Sequence, residues 1–240
     1  MSYLLYCIFR GPLPPDFEIP AGVGGQRVVT TNDDGFGAAL SKLAESASPL
    51  DASRLLAYEA VVESFHRHMT VIPMRYGCRV VCPYDALVLL RENHDGYGEL
   101  LRELEGLAEM GIQLLLDASG DPVDACAPPV RSIPLPSYGN SGTTYLASKR
   151  ERYVGQERAG VEQRELVEEL CVSLEGSFVR HKVEFPSSRR SRLLSLYFLV
   201  PRDSVETFRS AVRRLPTNRS VKLLLSGPWP PYNFVDALQP

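Results

Sequence analysis

Two pairs of side chains that commonly bind metal or act as nucleophiles lie close together in the sequence. His66 and His68 are two positions apart, and three residues separate Cys78 from Cys82. On a helix, side chains two positions apart point in different directions, so the two imidazoles do not converge. A structural zinc site usually needs a second ligand pair at a suitable spacing. We therefore interpret the cysteines as structural and expect no metal, no cofactor and no catalytic thiol.

Three other patterns that are associated with catalysis lack the required setting. The glycine-rich stretch 22–25 precedes a predicted strand and does not open a helix, so it does not form a phosphate-binding loop. Ser141 lacks the strand–turn–helix context of a nucleophile elbow. Glu168 and Glu169 fall on a helix face that we expect to be solvated. No group of residues demands catalysis, and we predict that the protein is not an enzyme.

The composition is that of an ordinary globular protein. The 240 residues are 44% hydrophobic and 23% charged, and the net charge of −3 gives no general attraction to nucleic acid or anionic membranes. No apolar run approaches the ~20 residues of a membrane span, and the first residues lack the basic lead of a signal peptide. Five scattered cysteines do not form a disulfide framework. We expect a soluble, cytoplasmic protein.

The first 110 residues alternate predicted strands and helices. Strands are predicted at Tyr3–Phe9, Arg27–Thr31, Phe36–Leu43 and Thr70–Tyr76, and helices at about 49–69 and 84–107. The stretch Phe36–Leu43 is ambiguous, because its alanines would suit a helix equally well. Pro73 lacks a backbone donor, which predicts an edge position or a bulge for its strand. The residues around Asn93 and Gly96 predict a break in the second helix.

The second half shows a different order of elements. Strands are predicted at Ile112–Leu116, Phe178–Glu184, Arg192–Val200 and Val221–Leu225, with helices at about 143–174 and 205–215. This β-α-β-β-α-β order is that of ferredoxin-like domains, and the proline-rich stretch Ser119–Gly142 is then a loop inserted inside the domain. We predict an α+β protein with two small α/β domains, residues 1–110 and 111–240, the second of them ferredoxin-like.

RNA-recognition modules share this order of elements, so nucleic-acid binding is an alternative. Basic residues cluster in the last third of the chain, for example Arg189, Arg190 and Arg192. The predicted third strand, however, offers only the adjacent aromatic residues Tyr197 and Phe198, which point to opposite faces. We predict no nucleic-acid partner and keep a ferredoxin-like ligand- or RNA-binding regulator as the alternative function.

The segment Gly227–Phe234 places the only tryptophan among three prolines. Proline fixes φ and removes a donor, so the strand Val221–Leu225 should stop being an ordinary ladder strand here. We expect this tail to pack back on the fold with Trp229 buried, and a cis peptide bond within Trp229-Pro230-Pro231. Arg75 lies beside the strand proline, where we expect its stem to pack and its guanidinium group to bond between elements.

These segments resemble the gas vesicle protein family GvpF/GvpL. The sequence of Thr70–Gly77 is similar to the family strand T-V-L-P-x-R-F-G, Gly106–Gly111 is similar to its G-x-x-E-x-G turn, and Gly227–Phe234 matches its G-P-W-P-P-Y-x-F tail. The Tyr145-Leu146 pair opens a charged helix, as in the family. Tyr58 stands where the family often has histidine, and whether the chain is GvpF-like or GvpL-like stays open.

The resemblance implies an accessory or minor structural protein of gas vesicle assembly, located at the gas vesicle and in the cytoplasm. Such a protein is expected to bind the hydrophobic shell protein and other accessory proteins during nucleation, and no membrane. We expect the partner-binding residues near the strand with Pro73 and in the tail: Arg75, Tyr76, Trp229, Tyr232 and Phe234.

Overall fold

The computed structural model describes residues 2–43, 52–116, 161, 163–185, 193–215 and 221–235. The first half contains the strands β1 (Ser2–Arg10), β2 (Val28–Asp33), β3 (Phe36–Leu43), β4 (Val71–Pro73) and β5 (Arg79–Val80), and the helices α1 (Ala52–His68), α2 (Pro83–Glu92) and α3 (His94–Glu103). The second half contains β6 (Leu107–Leu116), α4 (163–173), β7 (Arg180–Glu184), β8 (Leu193–Pro201), α5 (Val205–Arg214) and β9 (Val221–Trp229). The helices within these ranges are all too short or too polar to cross a membrane.

The first sheet is antiparallel, in the order β2-β3-β1-β4, and β5 also pairs with β1. Strand β1 is almost entirely apolar because both of its faces are buried. Leu5 and Ile8 belong to the core shared with α2 and α3, whereas Tyr6 and Phe9 belong to the core shared with α1. A shift of register between Leu5 and Cys7 breaks the strict alternation of faces.

The ambiguous stretch Phe36–Leu43 is a strand that lies between β1 and β2. Its small residues allow close approach to β1: a Cβ atom on Gly37 would lie 2.4 Å from the ring of Phe9. Asp34 and Gly35 both have positive φ, of 41° and 81°, and form the turn between β2 and β3.

Strand β4 confirms the edge position that Pro73 predicts, because β1 is its neighbour on one side and the strand order ends there. It is shorter than the predicted strand Thr70–Tyr76. The predicted break in the next helix is also confirmed, since α2 ends at Glu92 and α3 begins at His94.

The second sheet is also antiparallel, in the order β7-β8-β6-β9. One face packs against α4 and α5 through a core that includes Ile112, Leu170, Phe198 and Phe208. Strand β6 begins at Leu107, five residues before the predicted strand. The predicted loop Ser119–Gly142 and the first part of the predicted helix at 143–174 lie outside the described residues. The architecture is thus mixed α+β with two antiparallel sheets.

Strand β9 does not stop at Leu225 but continues to Trp229, which corrects the prediction from its proline content. The ladder to β6 shifts register at this point, since Gly111 faces Ser226 and Glu109 faces Trp229. This irregularity accommodates the missing donor of Pro228. The cis peptide bonds among the described residues are Gly11–Pro12 and Gly227–Pro228, so the prediction of a cis bond within Trp229-Pro230-Pro231 is wrong.

Candidate functional site

Residues 230–235, here called the tail, lie between the two halves of the protein. Pro230, Pro231 and Val235 are buried, and Phe234 is partly buried. Val235 belongs to the same core as Leu5 of β1 and Leu199 of β8, so this core is continuous between the two sheets. The prediction that the tail packs back on the fold is confirmed for these residues.

Glu109 of β6 holds the tail. Its side chain is 4% exposed, and its carboxylate accepts two hydrogen bonds from Asn233: the backbone N–H donates to Oε2 at 2.9 Å and Nδ2 donates to Oε1 at 2.7 Å. Lys182 of β7 donates to the carbonyl of Asn233 at 3.1 Å. Burial raises the pKa of Glu109 to about 7, although the bonds from Asn233 act in the opposite direction.

Tyr232 connects the same tail to helix α1. Its hydroxyl donates to Oε2 of Glu59 at 3.1 Å, and burial raises the pKa of Glu59 above its usual value. Arg180 of β7 covers the ring of Phe234, with Cζ 5.3 Å from the ring centroid. Tyr232 and Phe234 therefore contact elements of the protein itself and fix the tail in place.

Trp229 is 43% exposed, so the prediction of a buried indole is wrong. Trp229 is the last residue of β9 and pairs with Glu109 of β6, and within the described part of the chain β9 is an edge strand of the second sheet. The buried apolar residues that hold the tail against the protein are Pro230, Pro231 and Val235, which follow Trp229 in the sequence.

The segment around Arg75 follows the edge strand β4. Arg75 is exposed, and Tyr76 is half-buried with its ring edge-on to Tyr58, at 5.2 Å between centroids. The hydroxyl of Tyr58 lies 2.7 Å from the carbonyl oxygen of Met74 and 2.9 Å from that of Leu5, so it can donate to either. Tyr58 therefore links the base of this segment to β1.

The five predicted partner-binding residues fall into two groups. Arg75 and Tyr76 follow β4 of the first sheet, whereas Trp229, Tyr232 and Phe234 end β9 or belong to the tail. Exposure separates them further, because only Arg75 and Trp229 are exposed. The sequence reasoning did not identify the bonds of Glu109, although an acid inside the apolar strand LAEMGIQLLL is a visible signal.

The face of the second sheet opposite α4 and α5 carries large exposed apolar side chains. Leu115 is 43% exposed, Leu193 40% and Leu224 61%. Leu115 and Leu193 are direct partners across β6 and β8, and the register puts Leu224 and Trp229 on the same face. Together these four residues are here called the open-face patch.

Potential metal ligands do not cluster within the ranges that the structure describes: no three His, Cys, Asp or Glu side chains are placed to hold one ion. His68 Nδ1 lies 2.9 Å from the carbonyl oxygen of Ser64. Burial raises the pKa of the Cys78 thiol to about 11, so this thiol is protonated at neutral pH.

The two antiparallel sheets and the tail bound by Glu109 define a mixed α+β protein. A family model described as "Gas vesicle synthesis protein GvpL/GvpF" matches residues 2–236. The chain therefore belongs to the GvpL/GvpF family of gas vesicle synthesis proteins, as its motifs predict.

Relatives and solved structures agree with this assignment. The chain is 29% identical to "Gas vesicle protein F" of Streptomyces sp. (strain CB03234) over 98% of its own length and 100% of that protein. The fold is similar to the crystal structure of GvpF from Anabaena sp. PCC7120, with a TM-score of 0.72, 18% identity and coverage of 98% and 96% of the two chains. It is also similar to GvpF from Microcystis aeruginosa, with a TM-score of 0.70, 16% identity and coverage of 98% and 99%.

Proposed function

We propose that this protein is an accessory or minor structural protein of gas vesicle assembly that binds the hydrophobic shell protein and other accessory proteins during nucleation. The observation that carries the proposal, beyond the family, is the open-face patch of Leu115, Leu193, Leu224 and Trp229. A shell subunit that assembles through apolar surface would aggregate unless that surface were covered beforehand. An adaptor in the cytoplasm and at the growing vesicle supplies such cover.

The geometry suggests how a partner would be held. Strand β9 ends the order of the second sheet and carries exposed residues, so it offers an edge for strand addition, whereas β4 at the end of the first sheet is buried. In this proposal Trp229 and Arg75 contact the partner directly, since both are exposed. Tyr76, Tyr232 and Phe234 contribute by fixing the segments that present them.

We further infer that residues 111–240 form a ferredoxin-like domain and residues 1–110 a separate α+β domain. The strand order β9-β6-β8-β7, with α4 and α5 on one face, supports this division. Leu107 belongs to the first core and Met110 to the second, so the core changes within β6 close to the proposed boundary.

The alternative of an RNA-binding regulator receives no support from β8. Phe198 is fully buried against α5, and the hydroxyl of Tyr197 donates to Oε2 of Glu184 at 3.0 Å. These two aromatic residues do not form a stacking platform for bases.

A clean deletion in the native host, in a strain without a paralogue, tests the function. We expect phase-contrast microscopy to show loss of refractile vesicles, and purified protein to capture the shell protein in a pull-down. Normal vesicles in the deletion strain together with no capture of the shell protein would refute the proposal.

The open-face patch can be tested by Leu224→Asp. A charge on this face, diagonal to Leu115, should weaken capture of the shell protein by about tenfold or more. Because Leu224 is 61% exposed, the melting temperature should change little. The matched control is Val172→Asp, since Val172 is 64% exposed on α4, on the opposite side of the sheet. Equal capture by both variants and the wild type would exclude this patch as the contact surface.

A further inference from the structure

A cleft of about 550 Å³ opens where the ends of several elements meet. Its wall includes Arg10 at the end of β1, Arg67 and His68 at the end of α1, and Arg202 directly after β8. This volume lies within the range of small-molecule sites, which is roughly 300–1,000 Å³. The cleft is separate from the open-face patch, since the two share no residue.

Arg202 is the central feature of this wall. Its backbone N–H donates to the carbonyl oxygen of Gly106 at 2.9 Å, and its side chain is half-buried. Its Nη2 lies 2.8 Å from Nδ1 and 3.3 Å from Nε2 of His66, a buried residue of α1. Because a guanidinium group only donates, the imidazole must be the acceptor and must be neutral.

His66 is suited to this role. Burial, with a smaller contribution from the charge of Arg202, lowers the pKa of His66 to about 3. The imidazole therefore orients the guanidinium group without neutralising it. Among the described residues Arg202 forms no ion pair with a carboxylate, and its Nε and Nη1 have no hydrogen-bond acceptor. A half-buried guanidinium group whose donors lack acceptors usually binds an anion.

The other charged groups on the wall of the cleft differ in whether they already have a partner of opposite charge within the protein. Arg10 lies over the ring of Phe36, with Cζ 6.0 Å from the centroid, and within the described ranges it has no carboxylate partner. Arg67 is paired with Glu63 at 2.6 Å. Glu105 supplies a carboxylate to the wall, and the carbonyl ends of α1 and α3 place partial negative charge nearby. Among the described residues of this wall, Arg202 and Arg10 are thus the arginines without a carboxylate partner.

We propose that this cleft binds a small multivalent oxyanion, a molecule that bears phosphate or carboxylate groups, through Arg202 held by His66 and through Arg10. The planar guanidinium group presents paired donors that match both kinds of oxyanion. The limited volume favours a small molecule over a protein segment. The proposal is independent of shell-protein binding.

Isothermal titration calorimetry at constant ionic strength tests the site, with sodium pyrophosphate and citrate as separate probes. We expect saturable binding of at least one probe with a stoichiometry of one. Arg202→Gln and Arg10→Gln should each weaken it by about tenfold or more, because each removes charge-assisted hydrogen bonds. Stronger binding of pyrophosphate identifies a phosphate ligand, and stronger binding of citrate identifies a carboxylate ligand.

Arg213→Gln is the matched control, because Arg213 is exposed on α5 and does not line the cleft. It should leave the affinity within a factor of about two of the wild type, as expected for a remote surface residue. Far-UV circular dichroism checks each variant, and if Arg202→Gln does not fold, Arg10→Gln decides. No saturable binding of either probe, or equal affinity in the variants and the wild type, would overturn the proposal.

Discussion

Glu109→Gln should lower the free energy of unfolding by about 1–2 kcal/mol at pH 6, where folded Glu109 is mostly protonated, because an amide N–H₂ group cannot accept a hydrogen bond that a carboxyl oxygen accepts. Both carboxyl oxygens accept from Asn233, one from the backbone N–H and one from Nδ2. Glutamine offers one oxygen, so its amide N–H₂ must face a donor of Asn233. The tail that Asn233 belongs to should then detach from β6 more readily.

Urea denaturation of the wild type and of the Glu109→Gln variant measures this difference in the free energy of unfolding. Glu99→Gln is the control, since Glu99 is exposed on α3 and the same chemical change there should stay within about 0.5 kcal/mol. Limited proteolysis should also cut the Glu109→Gln variant faster at the tail. Equal stability of the two variants would show that the hydrogen bonds between Glu109 and Asn233 contribute little to the free energy of unfolding.

The pH dependence of the free energy of unfolding provides a second test of the Glu109 carboxyl group. An unfolded glutamate ionises at about 4.3, whereas folded Glu109 retains its proton up to a pKa of about 7. Between these values the folded protein binds more protons than the unfolded chain, so this group lowers stability as pH rises through that window. Lys182 counteracts the shift of the pKa, and Glu184 reinforces it. In Glu109→Gln this component of the pH dependence should be absent.

The sequence predicts most of the elements because their signals are local. The apolar density of β1, the breakers around Asn93 and the proline in β4 each act within a few residues, and each prediction is confirmed. The stretch Phe36–Leu43 is different. Its run of small residues suits either structure, and what makes it a strand is pairing on both sides with β1 and β2.

The candidate site is harder to predict because its contacts join distant parts of the chain. Glu109 and Asn233 are 124 positions apart, and His66 and Arg202 are 136 apart. Helical spacing predicts a buried face for α1 but not that His66 will meet an arginine after β8. The error on Trp229 has the same origin, because exposure of an edge-strand residue depends on which layer covers it.

Gly227→Ala should destabilise the protein by at least about 3 kcal/mol, because backbone strain and overpacking each contribute. Gly227 has a φ of 106°, a conformation that alanine rarely adopts. An added Cβ would lie 2.7 Å from the carbonyl oxygen of Glu109 and 3.0 Å from the sulfur of Met110. Relief requires the backbone of β9 to move away from β6, which would also displace the tail.

Thermal and urea unfolding of Gly227→Ala should be compared with Gly98→Ala. At Gly98, inside α3, an added Cβ would lie 3.5 Å from Cζ of Phe36, an ordinary contact. There the substitution should stabilise the protein by about 0.5–1 kcal/mol, since alanine is the better helix former. The same chemical change should thus have opposite signs at the two sites. An unchanged free energy of unfolding in Gly227→Ala would mean that β9 can move away from β6 without loss of stability. The shifted register around Pro228 would then not hold the tail.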